Sequence, residues 1–306
     1  MPVSTKAIKG RIRSVKNTRK ITKAMEMVSA SKMRRSVEKS QASRDYAELA
    51  LELLINISKD RVLRHPLLKK EAGYKTLLIV ITSNKGLCGS FNINIFKELD
   101  KYVTTQLERG RSKDMIKVIA VGKYAERYAK KLDLEVVASF IGLPDSIEFD
   151  EIMGLTKYVI DEFTAGKYDR VRVVYTNYIS AISNEVFVRG ILPVKPVNVE
   201  KVITTIGPVY ESKEPSIKSM NLYLFEPGEE EVLNRILPRL TEELIYQTLL
   251  ESRASEHSAR MLAMKNASDS ANEMIEELNL YYNKARQASI TQEIMEIASG
   301  AEALAT

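Results

Sequence analysis

The stretch RKITKAMEMVSASKMRR, residues 19–35, carries three lysines and three arginines against Glu26 alone. Met25, Met27 and Met33 lie among these charges, together with the small residues Ser29, Ala30 and Ser31. It sits inside a much longer helical pattern. Over residues 4–58 the apolar positions Ile8, Ile12, Val15, Met25, Val28, Leu49, Leu53 and Ile57 recur at spacings of mostly threes and fours. Gly10 is the only glycine there, and no proline interrupts. At 1.5 Å per residue such a helix is roughly 80 Å long, well beyond an ordinary globular helix.

The other end repeats the pattern. From Arg239 to Ser299 there is neither glycine nor proline, and a seam runs through Leu240, Leu244, Thr248, Ser255, Ala259, Leu262, Ile275, Leu278, Tyr282 and Ala285. Pro238 suits the first turn of that helix and Gly300 its C-terminus. One rod enters the middle of the chain and the other leaves it, so the two pair antiparallel. Small residues predict a close approach: Ala24, Ser29 and Ala30 on the first rod, and Ala254, Ser255, Ser258, Ala259, Ala263 and Ala267 on the second.

Between the rods, strand patterns alternate with helices. TLLIVITS (76–83), IKVIAVG (116–122) and EVVASFIG (135–142) read as buried strands, with helices over 92–109, 123–132 and 148–165. DRVRVVYTNY (169–178) and EVFVRGILPV (185–194) read as an antiparallel pair, 207–221 as an exposed loop and LYLFEP (222–227) as a last strand. The fold class is therefore α/β with long helices: a terminal antiparallel coiled coil plus a central Rossmann-like domain. The expected divisions are 1–60, 73–215 and 228–306.

The 306-residue chain has a net charge of +6, very unevenly placed. Residues 1–35 hold eleven basic residues against one acidic residue, a local +10, which leaves −4 for the rest. One segment's charge points to one acidic partner. Nucleic acid is the alternative, yet no aromatic residue for base stacking occurs within 1–45. No apolar run reaches the length of a membrane span, and the basic N-terminus lacks the apolar core of a secretory signal. Cys88 is the only cysteine, which leaves no internal disulfide and suits a cytoplasmic location.

Catalytic readings are poor. ITSNKGLCGSFN (81–92) places a glycine-bearing turn between a strand and a helix, as a phosphate cradle does. A P-loop, however, needs its lysine after the second glycine, and Lys85 precedes both Gly86 and Gly89. A tight turn using glycine's conformational freedom is the expected reading. His65 and His257 are the only histidines, too few and too separated for a metal site or an activated thiol. Neither a catalytic residue nor a cofactor is expected.

IRSVKNTRKITKAMEMVSASKMRR (12–35), SNKGLCGSFN (83–92), ASEHSARMLAMKNASDSA (254–271) and YNKARQASITQEIMEIASGAEAL (282–304) closely resemble the γ-subunit family of F-type ATP synthases. The likeness runs end to end, with Ser90 standing where that family usually has glycine. The resemblance implies a non-catalytic central rotor. Its partners would be the α and β subunits around the shaft, the ε subunit and the membrane c-ring, with no nucleic acid and no membrane insertion. The rotor would sit peripherally on the cytoplasmic face of the cell membrane. It further implies that Lys20, Lys23, Met25, Arg34, Arg35 and Arg260 lie near acidic β loops, and that Arg286, Gln287 and Thr291 face polar loops higher up. After Arg286 the last twenty residues contain no lysine or arginine. Ile290, Ile294, Ile297 and Leu304 in that tail suggest an apolar tip turning in an apolar sleeve.

Overall fold

A computed structural model describes residues 5–58, 65–68, 73–195 and 228–305; at 43–48, 50–58, 229–230 and 302–305 only the backbone is considered. The expected loop 207–221, the strand 222–227 and the side chains of Leu53, Ile57 and Leu304 lie outside these limits. The chain forms two compact units, one of residues 1–28 with 261–306 and one of residues 29–260.

Helix α1 runs over Thr5–Ser58. Its seam is a strict heptad ladder at positions 8, 12, 15, 19, 22, 26, 29, 33, 36 and 40, with steps of four and three. Ile8, Ile12, Thr22, Ser29, Ser36 and Ser40 on it are buried, while Val15, Glu26 and Met33 are half-buried and Arg19 is exposed. This corrects the expected seam. Val28 and Leu49 are 53% and 61% exposed, because a period of 3.5 residues puts Ser29, not Val28, on the inner line. Small hydroxyl residues therefore replace aliphatics along much of the seam, and Thr22 satisfies its hydroxyl on the Arg19 carbonyl of its own helix at 3.0 Å.

In the first unit the ladder meets a second one on the C-terminal helix, through Met264, Ser268, Ala271 and Ile275, all buried, and the half-buried Leu278, Tyr282 and Ala285. Arg19 Nη1 donates to Asn272 Oδ1 at 2.7 Å across the pair.

The second unit is a three-layer α/β domain. Its strands are β1 (Thr76–Ile81), β2 (Ile116–Val121), β3 (Glu135–Phe140), β4 (Arg170–Tyr178) and β5 (Asn184–Leu192). They lie in the order β3-β2-β1-β4-β5, parallel except for β5, which pairs antiparallel with β4. Alternation sorts the strand side chains onto two faces. Leu78, Val80, Val118 and Ala120 pack with helices α2 (Phe91–Glu108) and α3 (Lys123–Lys131). Leu77, Ile79, Ile119 and Val173 pack with α4 (Phe149–Thr164) and with the first part of α5 (Glu229–Ala305).

Helix α5 departs from the sequence reading at both ends. It starts at Glu229 and passes through Pro238, so that proline is interior rather than in the first turn. An interior proline costs about 3 kcal/mol. Burial of Leu233 and Leu237 in the sheet core offsets that at roughly 1.5–3 kcal/mol each. At the other end the helix continues through Gly300 to Ala305, since one glycine costs only about 1 kcal/mol. The expected seam residues Leu240 and Leu244 belong to the sheet core, so this part of α5 is a domain helix and not a bare rod.

Candidate functional site: a helix collar and a basic shaft

Doubly wound sheets bind ligands in the crevice beyond the C-terminal ends of their strands, at the point where strand order reverses. Here that point lies between β1 and β4. The turn after β1 is closed by the chain's own groups. Thr82 Oγ1 accepts from the Ala125 amide at 2.8 Å, and Asn84 Oδ1 from the Lys123 amide at 3.0 Å. The amides opening α3 are thus capped internally. Asn92 ties the turn to α2, accepting from the Ser83 amide at 3.1 Å and donating to Ser83 Oγ at 2.7 Å. Gly89 has φ +56°, the left-handed freedom expected of it. Gly86 does not; Leu87 takes φ +62° instead. Ser90 has φ −85°, a conformation open to any residue, so its difference from the family's glycine carries no backbone cost.

Two carbonyls of the turn accept from α5. Arg260 Nη2 donates to the Lys85 carbonyl at 3.2 Å and Nε to the Gly86 carbonyl at 3.4 Å. Arg260 occupies these two carbonyls, and with Lys85 ahead of both glycines the turn lacks the spacing of a phosphate cradle.

Four further contacts fasten α5 at this end of the sheet. Arg253 donates to the Leu143 carbonyl beyond β3 at 3.4 Å. Ser255 donates to the Thr176 carbonyl near the end of β4 at 3.3 Å. Ser258 donates to the Ala181 carbonyl in the β4–β5 hairpin at 2.6 Å. Ala259 packs on the α2 side of the core. Ser255 and Ser258 therefore turn to the sheet domain, not to a seam between the two rods as expected. Helix α1 is held at the same rim. Lys32 pairs with Asp145, Lys39 with Glu148, and the Tyr178 hydroxyl meets Met33 Sδ at 3.7 Å. Burial raises the Asp145 carboxyl, but the Lys32 ammonium outweighs it and leaves the pKa below its ordinary value.

His257 lies inside this collar. Burial drives its pKa down to about 4, the Arg260 charge adding to that and the Glu256 carboxylate opposing it. The ring is neutral, with Nδ1 facing Arg260 Nη1 at 3.4 Å. A neutral ring receiving a guanidinium N–H carries its proton on Nε2.

The remaining site candidates are on helix surfaces. Lys20, Lys23, Arg34 and Arg35 are exposed, off the heptad ladder, and Lys23 is paired locally with Glu26 at 3.0 Å. Met25 is half-buried beside the ladder, while Met27, which was not singled out, is 60% exposed. With Arg19, Lys20 and Lys23 it lines a groove shared with Asp269 and Asn272 of α5. The heptad phase, read strictly, would have separated the two methionines. Arg260 differs from the other cations: it is 8% exposed and committed to the collar. Arg286, Gln287 and Thr291 are exposed, as are Ile290, Ile294 and Ile297.

A family model described as ATP synthase matches residues 4–304 of the chain. The chain belongs to the ATP synthase family. Among its relatives in that family, the ATP synthase gamma chain of Chloroflexus aurantiacus is 40% identical over 306 residues, covering 98% of this chain and 99% of its own. The gamma chain of Staphylococcus saprophyticus is 37% identical, with 98% and 99% covered. Of solved ATP synthase structures, the central stalk and c-ring of Tetrahymena thermophila mitochondria contains a chain 29% identical to this one. It has a TM-score of 0.57, over 81% of this chain and 99% of that one. A chain of the Euglena gracilis mitochondrial OSCP/F1/c-ring structure shares the fold at TM-score 0.63 and 20% identity, covering 98% and 94%.

Proposed function

We propose that this chain is the central, non-catalytic rotor of an F-type ATP synthase. The α/β domain, 73–215, receives rotation from a membrane ring, and the helical segments 1–60 and 228–306 carry it to the catalytic β subunits of a surrounding α/β hexamer. One observation carries the reading: both long helices are fastened to the rim of a sheet domain, and α5 reaches across its ligand crevice. Such a part transmits motion and holds no substrate of its own. No helix among the described residues is long and apolar enough to cross a membrane. The proposed location is peripheral, at the cytoplasmic face of the cell membrane, with ε as a further partner.

Lys20, Lys23, Arg34 and Arg35 are the proposed contacts for acidic β loops, with Met25 beside them; Arg286, Gln287 and Thr291 are the proposed contacts further along α5. Swinging one site between mostly open and mostly closed takes about 5.5 kcal/mol of differential contact. One surface ion pair supplies at most about 1 kcal/mol, so the cations act together. Ile290, Ile294, Ile297 and Leu304 form the proposed apolar tip that turns without lasting ion pairs.

Reconstitution with α and β subunits tests the reading: a defined complex with ATPase activity is the expected product. Reversing Lys20, Lys23, Arg34 and Arg35 together to glutamate should abolish coupled ATP synthesis, while each single reversal has a small effect. Failure of the parent chain to assemble, or full coupling by the fourfold variant, would refute it. The nucleic-acid reading predicts DNA retention that falls steeply with salt, and no such complex.

A further inference from the structure

We propose that Glu256 is the positioning residue that locks α5 in the collar, so that rotation of the sheet domain is passed to the helix without slip. This rests on the rotor reading above. Glu256 is buried between two arginines of its own helix. Arg253, three residues before, donates to Oε2 at 2.7 Å, and Arg260, four residues after, donates to Oε1 at 2.8 Å. All three side chains are less than a tenth exposed.

Each arginine has a second task. Arg260 reaches the turn after β1 and Arg253 the loop after β3, and their targets are main-chain carbonyls. A carbonyl cannot neutralise a guanidinium, and two buried guanidiniums on one helix face would repel each other strongly in a low dielectric. The Glu256 carboxylate removes that repulsion and fixes both forks through charge-assisted hydrogen bonds. His257, kept neutral, adds no third positive charge.

The arrangement supplies what the surrounding core lacks. Apolar contacts from Leu240, Leu244 and Leu249 hold α5 on the sheet, but hydrophobic burial is non-directional and resists rotation about the helix axis weakly. Hydrogen bonds lose strength steeply once misaligned. Those of Arg253, Arg260 and Ser258 run to loops after three different strands, and that of Ser255 to the end of β4. Turning the helix in its collar would break them on all sides at once.

The test is made in the full membrane-embedded complex, with ATP hydrolysis and ion pumping measured in the same vesicles. Glu256→Gln is expected to lower the ions pumped per ATP hydrolysed, and Glu256→Asp, which keeps the charge, to restore part of that ratio. A role in stability alone would reduce the amount of complex and leave the ratio untouched. Should Glu256→Gln fail to assemble, the triple variant Arg253→Met, Glu256→Leu, Arg260→Met takes its place. Apolar replacement of a buried ion triad commonly preserves folding, yet it removes every directional bond of the cluster. A parental ratio in either assembled variant overturns the proposal, whereas absence of pumping with the parent chain overturns the rotor reading instead.

Discussion

At pH 8 the Glu251→Gln chain is expected to be more stable than the parent, by roughly 4 kcal/mol, from about 1.4 kcal/mol per unit of pKa displacement. Glu251 lies on α5, 1% exposed, one turn before the collar. The Tyr175 hydroxyl and the Arg189 guanidinium face it, and both favour its charged form less than burial opposes it. Burial therefore dominates and pushes the pKa from 4.5 up to about 8, with Arg189 opposing. The same burial raises the Tyr175 phenol well above its ordinary value, so both groups are neutral near pH 7. Because the folded pKa of the acid is raised, its stabilising effect is complete below about 4.5 and is lost as pH climbs toward 8. Thermal unfolding of the full chain across that window checks this. The parent should lose stability relative to Glu251→Gln as pH rises, and the two curves should converge near pH 4.5. Parallel curves would mean that Glu251 is ionised and paired in the native state.

Gly122→Ala is expected to cost at least about 3 kcal/mol, enough to threaten folding of a marginally stable chain. Gly122 has φ +93°, and its amide donates to the Phe140 carbonyl at 3.1 Å. A Cβ there would sit 2.3 Å from the Thr82 carbonyl oxygen, a backbone atom that cannot swing aside. Positive φ alone costs a non-glycine residue about 1–3 kcal/mol, and the clash adds to it. Gly166→Ala separates the two contributions. Its φ is +74° with open space around the added methyl, so it should lose only about 1–2 kcal/mol. Urea unfolding of both variants measures the difference. Equal losses would show that the Thr82 carbonyl yields. Because Thr82 also caps α3, Gly122→Ala should loosen the turn that Arg260 grips, visible as faster amide exchange over 83–89.

Much of the architecture was legible because its signals are local. The five strands, and helices α2, α3 and α4, fall within two residues of their predicted limits, since unbroken runs such as TLLIVI and polar, glycine-bearing turns are set by neighbouring residues. The long helices were legible from the absence of breakers. Their seams were only partly so: Val28 and Leu49 look like inner residues by hydrophobicity but are exposed, and Ser36 and Ser40 look like outer ones but are buried. A hydroxyl residue is neutral in hydropathy, so only the heptad phase marks it. The interior place of Pro238 in α5 was missed because proline is a local breaker, here overruled by Leu233 and Leu237 packing on a sheet far away in sequence.

By itself the sequence determined the elements, their order, the basic face of α1 and the family, all consequences of short-range patterns or of long motifs read in register. It could not determine which groups meet. SRASEHSAR reads as a small-residue seam facing the other rod, yet tertiary structure makes it a buried clamp on the sheet domain. Glu256 neutralises two arginines there, and the acceptors are the carbonyls of Lys85, Gly86 and Leu143. Every residue has a carbonyl, so nothing in the one-letter sequence marks those that a distant guanidinium will find. That choice was made when packing set α5 across the mouth of the sheet.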